Sequence, residues 1–289
     1  MSITVAIVAP GEMGSAIGRE LRAGGARVLT SLQGRSAASA ARVQKEGFEA
    51  VADDDALVAQ ADYLLSVVPP GSAVALAERF APALARAARK PVYADCNAVS
   101  PGTAREIGRI LAPSGCPFAD GALFGGPTSG KPGIVLYASG PGAAAMTRLA
   151  EFGPKVRVME GPVGAASGMK LSFAGINKGF TALGAFMILA ATRAGCTAEV
   201  RQMLADTQPA LLAYMEKFVP AMFPKAYRWE PEMREIAAYL GSEDPPAGEV
   251  FTAIARLYGR LAQDLAAGGQ GEIADLARFC GAAVPGTAR

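Results

Sequence analysis

From Met1 to about Glu160 the chain alternates short β-branched apolar runs with Ala-rich stretches of helical period. The apolar runs predict strands over Ile3–Ala9, Arg27–Leu32, Phe48–Val51, Tyr63–Val68, Pro91–Asp95, Pro117–Ala119, Ile134–Ser139 and Lys155–Met159. Helices are predicted between them over Glu12–Ala23, Ser36–Glu46, Gly71–Ala88 and Pro101–Leu111. A further helix starts at Asp53-Asp54-Asp55, where carboxylates suit the positive end of the helix dipole. Alternation of this kind implies a doubly wound α/β domain, a parallel sheet wrapped by helices.

After Gly161-Pro162 the pattern changes. Ala165–Ala194 reads as one long helix, and helical segments follow to the C-terminus, broken near Gln208-Pro209, Phe223-Pro224 and Asp244-Pro245-Pro246. The organisation predicted is an α/β domain over 1–161 and an all-helical domain over 162–289.

Composition narrows the chemistry. The 289 residues are 51% hydrophobic and 19% charged, enough for two packed cores. A net charge of +2 gives no reason to expect a nucleic acid or a membrane surface as partner. There is no histidine, which excludes Ser-His-Asp triads, Cys-His pairs and His-based metal sites. The four cysteines, Cys96, Cys116, Cys196 and Cys280, show no CxxC spacing; a reduced, cytoplasmic protein without a metal centre is expected. The start, MSITVAIVAPGEMG, lacks the basic region and cleavage pattern of a secretory leader. The uncharged stretch between Lys178 and Arg193 is 14 residues long, shorter than a bilayer span.

Six motifs carry candidate chemistry. Ala9-Pro10-Gly11-Glu12-Met13-Gly14 follows a strand and opens a helix, the context in which a glycine-rich turn binds a dinucleotide pyrophosphate. Gly11 would admit the phosphates and Gly14 would allow close helix–strand packing; Ala9 stands where the fingerprint has its first glycine. An ordinary strand–turn–helix is the alternative. No carboxylate lies between Glu20 and Glu46, although an NAD site places one after the second strand to bind the ribose. Gln33-Gly34-Arg35-Ser36 stands there instead, and Arg35 with Ser36 can hold a 2′-phosphate, so NADP is expected over NAD, a solvated loop arginine being the alternative. Val68-Pro69-Pro70 and Asn97, in Asp95-Cys96-Asn97, follow two further strands, at the ends where such folds bind ligands. Turn or capping roles would account for both equally well. In Asp120-Gly121-Ala122-Leu123-Phe124-Gly125-Gly126-Pro127 the paired glycines can present backbone N–H groups to a substrate oxygen, or form a plain loop between strands. On the long helix, Asn177 lies about 20° from Lys170 and two turns on, with Thr181 on the same stripe and Lys178 about 80° to the side. Two of the eight lysines fall on this helix. With no histidine available, proton transfer falls to Lys, Tyr, Cys, Asp or Glu. Lys170, on the first helix after the domain boundary, is one candidate, with Lys178 as a cationic neighbour that could tune it, and a plain solvated helix lysine is the alternative.

In this order the motifs resemble the β-hydroxyacid dehydrogenase family, which includes 3-hydroxyisobutyrate and 6-phosphogluconate dehydrogenases. The resemblance rests on APGEMG, GRS, SVVPP, DCNAVSP, DGALFGGP with GIVLYASG, and GAASGMKLSFAGINKG, and it runs over almost the whole chain. It implies a Rossmann domain followed by a helical domain that dimerises, with the family lysine at Lys170 as general acid toward a carbonyl or base toward a hydroxyl. The family asparagine four residues later is replaced by Ala174, with Asn177 as a substitute, and the serine before the paired glycines is replaced by Phe124. Asn97, Phe124, Gly125, Gly126, Lys170 and Asn177 would line the substrate. The helical half looks more like a branch whose C-terminal domain has no known function. The expected activity is NADP-dependent hydride transfer to or from a small hydroxyacid, alcohol or carbonyl compound. Imine reduction and a non-catalytic NADP-binding protein are the alternatives.

Overall fold

The computed structural model describes residues 2–8, 10–33, 37–125 and 133–286. The chain divides into two compact units, Met1–Leu171 and Ser172–Arg289.

The first unit is built on eight strands: β1 (Thr4–Val8), β2 (Arg27–Ser31), β3 (Glu49–Val51), β4 (Tyr63–Ser66), β5 (Val92–Asp95), β6 (Phe118–Gly125), β7 (Ile134–Ser139) and β8 (Lys155–Val158). They lie in the order β3-β2-β1-β4-β5-β6-β7-β8. Neighbours are parallel except β6 and β7, which pair antiparallel from Asp120↔Ser139 to Gly125↔Ile134. A wholly parallel sheet was expected from the alternation of elements. The departure has a simple cause: only residues 126–133 separate β6 from β7, and a parallel return needs a crossover of about a dozen residues or more. β6 is also longer than the predicted Pro117–Ala119, so Asp120 to Gly125 form strand rather than loop.

Among the described residues, five α-helices and a 3-10 helix over Ala143–Phe152 cover the sheet; the α-helices are α1 (Glu12–Ala23), α2 (Ala37–Glu46), α3 (Asp54–Gln60), α4 (Ala73–Arg86) and α5 (Pro101–Leu111). Alternate residues of β1 explain why both faces are covered. Val5 and Ile7 pack with Ile17 and Leu21 of α1 and Val43 of α2, while Ala6 and Val8 pack with Leu57, Phe80 and Ile107 from α3, α4 and α5. Caps set several helix starts: Asp53 accepts the Ala56 N–H, and Ser100 accepts the Thr103 N–H ahead of Pro101. Gly18 sets how closely α1 approaches the sheet, because a Cβ there would lie 2.4 Å from the Phe48 ring and 2.8 Å from Ile7.

The long helix α6 (Ala165–Ala194) begins in the first unit and continues into the second. The division falls after Leu171, beyond the break at Gly161-Pro162, because the first turn of α6 is hydrogen-bonded to Asp120 of β6. The second unit adds α7 (Thr197–Thr207), α8 (Pro209–Met222), α9 (Ala226–Gly241), α10 (Pro245–Ala266) and α11 (Glu272–Cys280). Prolines open α8 and α10, and Asp244 caps α10 through the Ala247 N–H. By length and composition alone α6 could cross a membrane, but 44% of its most apolar 18-residue window is buried inside the protein.

Candidate functional site

The chain order β1-β2-β3 runs to one side of β1, and β4-β5-β6 to the other. This switch of direction opens a crevice at the carboxyl ends of β1 and β4, where open α/β sheets bind their ligands. Pro10, Gly11, Glu12, Met13 and Gly14 lie at the end of β1, Val68, Pro69 and Pro70 beyond β4, and Asn97 beyond β5. The structure therefore brings these predicted residues to one edge of the sheet. Ala9, Gly34, Arg35, Ser36 and Gly126 lie outside the described residues.

The first turn of α1 suits a pyrophosphate. Its N-cap is Gly11, which supplies no side-chain acceptor to the helix N-terminus; α4 also lacks a side-chain cap, while α3 and α5 are capped by their own Asp53 and Ser100. An uncapped N-terminus at the switch point, with the buried Gly14 behind it, fits the phosphates of a dinucleotide. Pro10 O holds this turn in place by accepting from Ser15 Oγ at 3.2 Å and from Arg42 Nη1 at 3.1 Å. Arg42 was not singled out in the sequence, since nothing in a helix pattern shows that its side chain reaches back to another loop. It borders a surface cavity of about 440 Å³ shared with Glu12, Arg19, Lys45 and Glu46. At the end of β2, Ser31 is buried and accepts the Gln33 N–H at 3.3 Å, and Gln33 itself is exposed.

Asn97 is 2% exposed and committed to the protein. Its Oδ1 accepts the Val68 N–H at 2.6 Å, and its Nδ2 donates to Ser66 Oγ at 2.7 Å and to Asp95 Oδ1 at 2.5 Å. Both amide hydrogens are used, in bonds that tie the end of β5 to the end of β4, and a spare lone pair on Oδ1 remains for a ligand. Burial pushes the Asp95 carboxyl up to about 6, with the Asn97 hydrogen bond opposing the rise. Asp95 Oδ2 and the Tyr93 hydroxyl are buried with no hydrogen-bond partner.

β6 extends past the end of β5 and carries Phe124 and Gly125 beyond it. The Phe124 ring meets Tyr137 edge-on, with centroids 5.5 Å apart. Gly125 has φ +93, and a Cβ would lie 2.4 Å from the Gly133 carbonyl oxygen, so only glycine fits.

Lys170 lies in the first unit with the sheet, half-buried. Its positive charge acts on the buried thiol of Cys96, next to Asn97; burial drives that thiol upward, and Lys170 opposes the rise. Asn177, two turns on, belongs to the helical unit. Its Nδ2 donates to Phe173 O at 2.8 Å, one turn back on its own helix. Lys178 lies in the helical unit, as Asn177 does. Its ammonium is ion-paired with Glu232 and lies 5.2 Å from the centre of the Trp229 ring, so its charge is already answered. Burial lowers the Lys178 pKa in spite of Glu232.

A glycine-capped helix N-terminus at the switch point of a parallel-rich sheet is the arrangement of a dinucleotide-binding fold. Residues 4–152 match the family described as the NAD binding domain of 6-phosphogluconate dehydrogenase, and the chain belongs to that family. Residues 191–261 match a domain of unknown function, DUF1932. The chain is 26% identical to the conserved protein MTH1747, of unknown function and described as structurally similar to 3-hydroxyacid dehydrogenases. The TM-score is 0.72 over 89% of this chain and 99% of that one. Two solved structures at 19% identity share the fold. They are a 3-hydroxyisobutyrate dehydrogenase from Mycobacterium tuberculosis with L-serine and an imine reductase variant from Myxococcus stipitatus with NAD+. For the first the TM-score is 0.68, over 91% of this chain and 95% of that one. For the second it is 0.59, over 96% and 99%.

Proposed function

We propose that the protein is an NADP-dependent oxidoreductase that moves hydride between the nicotinamide and a small hydroxyacid or a related alcohol or carbonyl compound. The observation that carries this reading is Lys170. It belongs to the same compact unit as the glycine-capped turn of α1 and sits half-buried near the start of α6, whose first turn is bonded to Asp120 of β6. The bound nicotinamide supplies the hydride in reduction and accepts it in oxidation. Gly11 and the first turn of α1 bind the pyrophosphate, and Arg35 with Ser36 takes the 2′-phosphate. Lys170 donates a proton to the carbonyl oxygen as hydride arrives, or accepts the hydroxyl proton in the reverse direction. Asn97 keeps the β4 and β5 ends in register, and Gly125 with Gly126 presents backbone to the substrate.

The test is a fluorescence titration with NADPH and NADH, followed by a substrate screen with Lys170→Met as the control. Turnover that depends on Lys170 supports the reading. NADPH binding without turnover across hydroxyacids, alcohols and imines would favour a non-catalytic binding protein. One observation favours imine reduction as the second reading: the Phe124–Tyr137 pair is aromatic where a carboxylate-binding serine is expected, which suits a less acidic substrate.

We also propose that the protein is a cytoplasmic homodimer joined through the helical unit. Phe173, Ile176, Phe180, Leu183 and Met187 are all exposed, Ile176 to 72%, and they recur at alternating spacings of three and four. That is the pattern of a helix seam built to meet another helix. The four cysteines are free, which suits a reducing compartment.

A further inference from the structure

We propose that Asp120 is the positioning residue for Lys170: its buried carboxylate clamps the first turn of α6 to β6 and so sets where the lysine ammonium stands. This deepens the reading of Lys170 as the proton-transfer group and rests on it.

The first four N–H groups of an α-helix have no acceptor within the helix. For α6 a strand in the sheet provides it. Oδ2 of Asp120 accepts the backbone N–H groups of Gly164 at 2.9 Å, Ala166 at 3.0 Å and Ser167 at 3.1 Å. Oδ1 accepts the Ser167 hydroxyl at 2.5 Å. The Ser139 hydroxyl of β7 donates to Oδ2 at 2.8 Å, and its oxygen accepts from Ala166 N–H at 3.1 Å. Asp120 is wholly buried, and Ser139 and Ser167 are no more than 1% exposed. An isolated carboxylate in such a place would be costly; here the donors and the positive end of the helix dipole compensate it.

The contrast with α1 is informative. That helix begins at Gly11 with no side-chain cap. The N-terminus of α6 is filled by the protein's own carboxylate, so it holds geometry instead of an anion. Lys170 follows Ser167 by three residues, about one turn. An ammonium about 8 Å from the helix axis moves roughly 1.4 Å when the helix rotates by about 10°. A displacement of about 1 Å at reacting atoms can cost on the order of a hundredfold in rate. A conventional cap would protect the helix from fraying; this clamp ties its rotation to strands β6 and β7 as well.

The test compares Asp120→Ala, Asp120→Asn, Ser167→Ala and Lys170→Met, each checked for folding by its thermal transition and for NADPH affinity by fluorescence. Asp120→Ala is expected to lower kcat about tenfold or more with KM and NADPH affinity within about twofold of wild type. Asp120→Asn keeps an acceptor for the backbone N–H groups and should restore kcat to within about threefold. Ser167→Ala should fall between them and serves as the milder variant if Asp120→Ala fails to fold. A readout that needs no substrate is the NMR signal of the Lys170 side chain, assigned by its loss in Lys170→Met. It should shift in Asp120→Ala or Ser167→Ala and return toward the wild-type position in Asp120→Asn. An unmoved Lys170 signal in a folded Asp120→Ala or Ser167→Ala protein overturns the proposal, as does a wild-type kcat in both. If Lys170→Met keeps normal turnover while the signal moves, the clamp exists but the catalytic role fails, and the proposal fails with it. The signal reports where the lysine stands and kcat reports what it does, so the two failures are separable.

Discussion

The Asn97 side chain donates to the Asp95 carboxylate at 2.5 Å across the end of β5, and this pair is buried at the edge of the sheet where the candidate site opens. Burial raises the Asp95 carboxyl from the ordinary range to about 6, above its value in the unfolded chain. The folded state therefore holds this proton more tightly. The stability it contributes is fully present below about pH 4 and is lost as pH rises through about 6. From pH 5 to pH 7.5 wild type should lose on the order of 1 kcal/mol through this group. Asp95→Asn keeps an acceptor for Asn97 and removes that component. Denaturant titrations of both proteins at the two pH values measure the difference; parallel pH dependences would show that Asp95 does not titrate in this window.

Lys170→Met should lower kcat by at least about a hundredfold on whichever substrate the screen identifies, with little change in NADPH affinity. Steady-state kinetics and fluorescence titration check the two halves separately. Near-normal kcat would remove Lys170 from the chemistry.

Lys178→Met should act on stability more than on rate. Lys178 is ion-paired with Glu232 and lies beside Trp229, with its side chain 18% exposed. Its loss leaves a half-buried carboxylate without its partner, at a cost of about 1–3 kcal/mol. Thermal or denaturant unfolding reads this. A fall in kcat as large as that of Lys170→Met, in a protein of unchanged stability, would reverse the two assignments.

NADPH should bind more tightly than NADH. The stretch from the end of β2 to Glu46 carries no carboxylate, and Arg35 with Ser36 lies within it. Arg35→Ala should cost about 1.5–3 kcal/mol for NADPH and much less for NADH. Equal affinities for the two cofactors in the wild-type protein would contradict the preference.

The protein should sediment as a dimer at micromolar concentration, and Ile176→Glu should shift it toward monomer. Ile176 is 72% exposed within the chain, so a carboxylate there costs the isolated fold little and burdens only an apolar interface. A wild-type monomer would leave the stripe along α6 without its proposed partner.

Local signals in the sequence determined much of the architecture. Glu12–Ala23, Pro101–Leu111, Ile134–Ser139 and Ala165–Ala194 have the predicted bounds because their limits are written in neighbouring residues, such as Ser100 before Pro101 and Gly133 before Ile134. The candidate cofactor turn was legible for the same reason: strand, glycines and helix follow one another along the chain. What the tertiary structure alone decided depends on contacts between distant residues. The antiparallel return of β7 follows from which strands come to lie side by side. The commitment of Asn97 to Val68 joins residues 29 apart, and the pairing of Lys178 with Glu232 joins residues 54 apart. Asp120 stood in a quoted motif, yet its hold on Ser167, 47 residues away, has no periodicity to announce it. A hydrophobic pattern reports which face of an element is buried, whereas a buried polar group takes its role from the partners that folding brings to it.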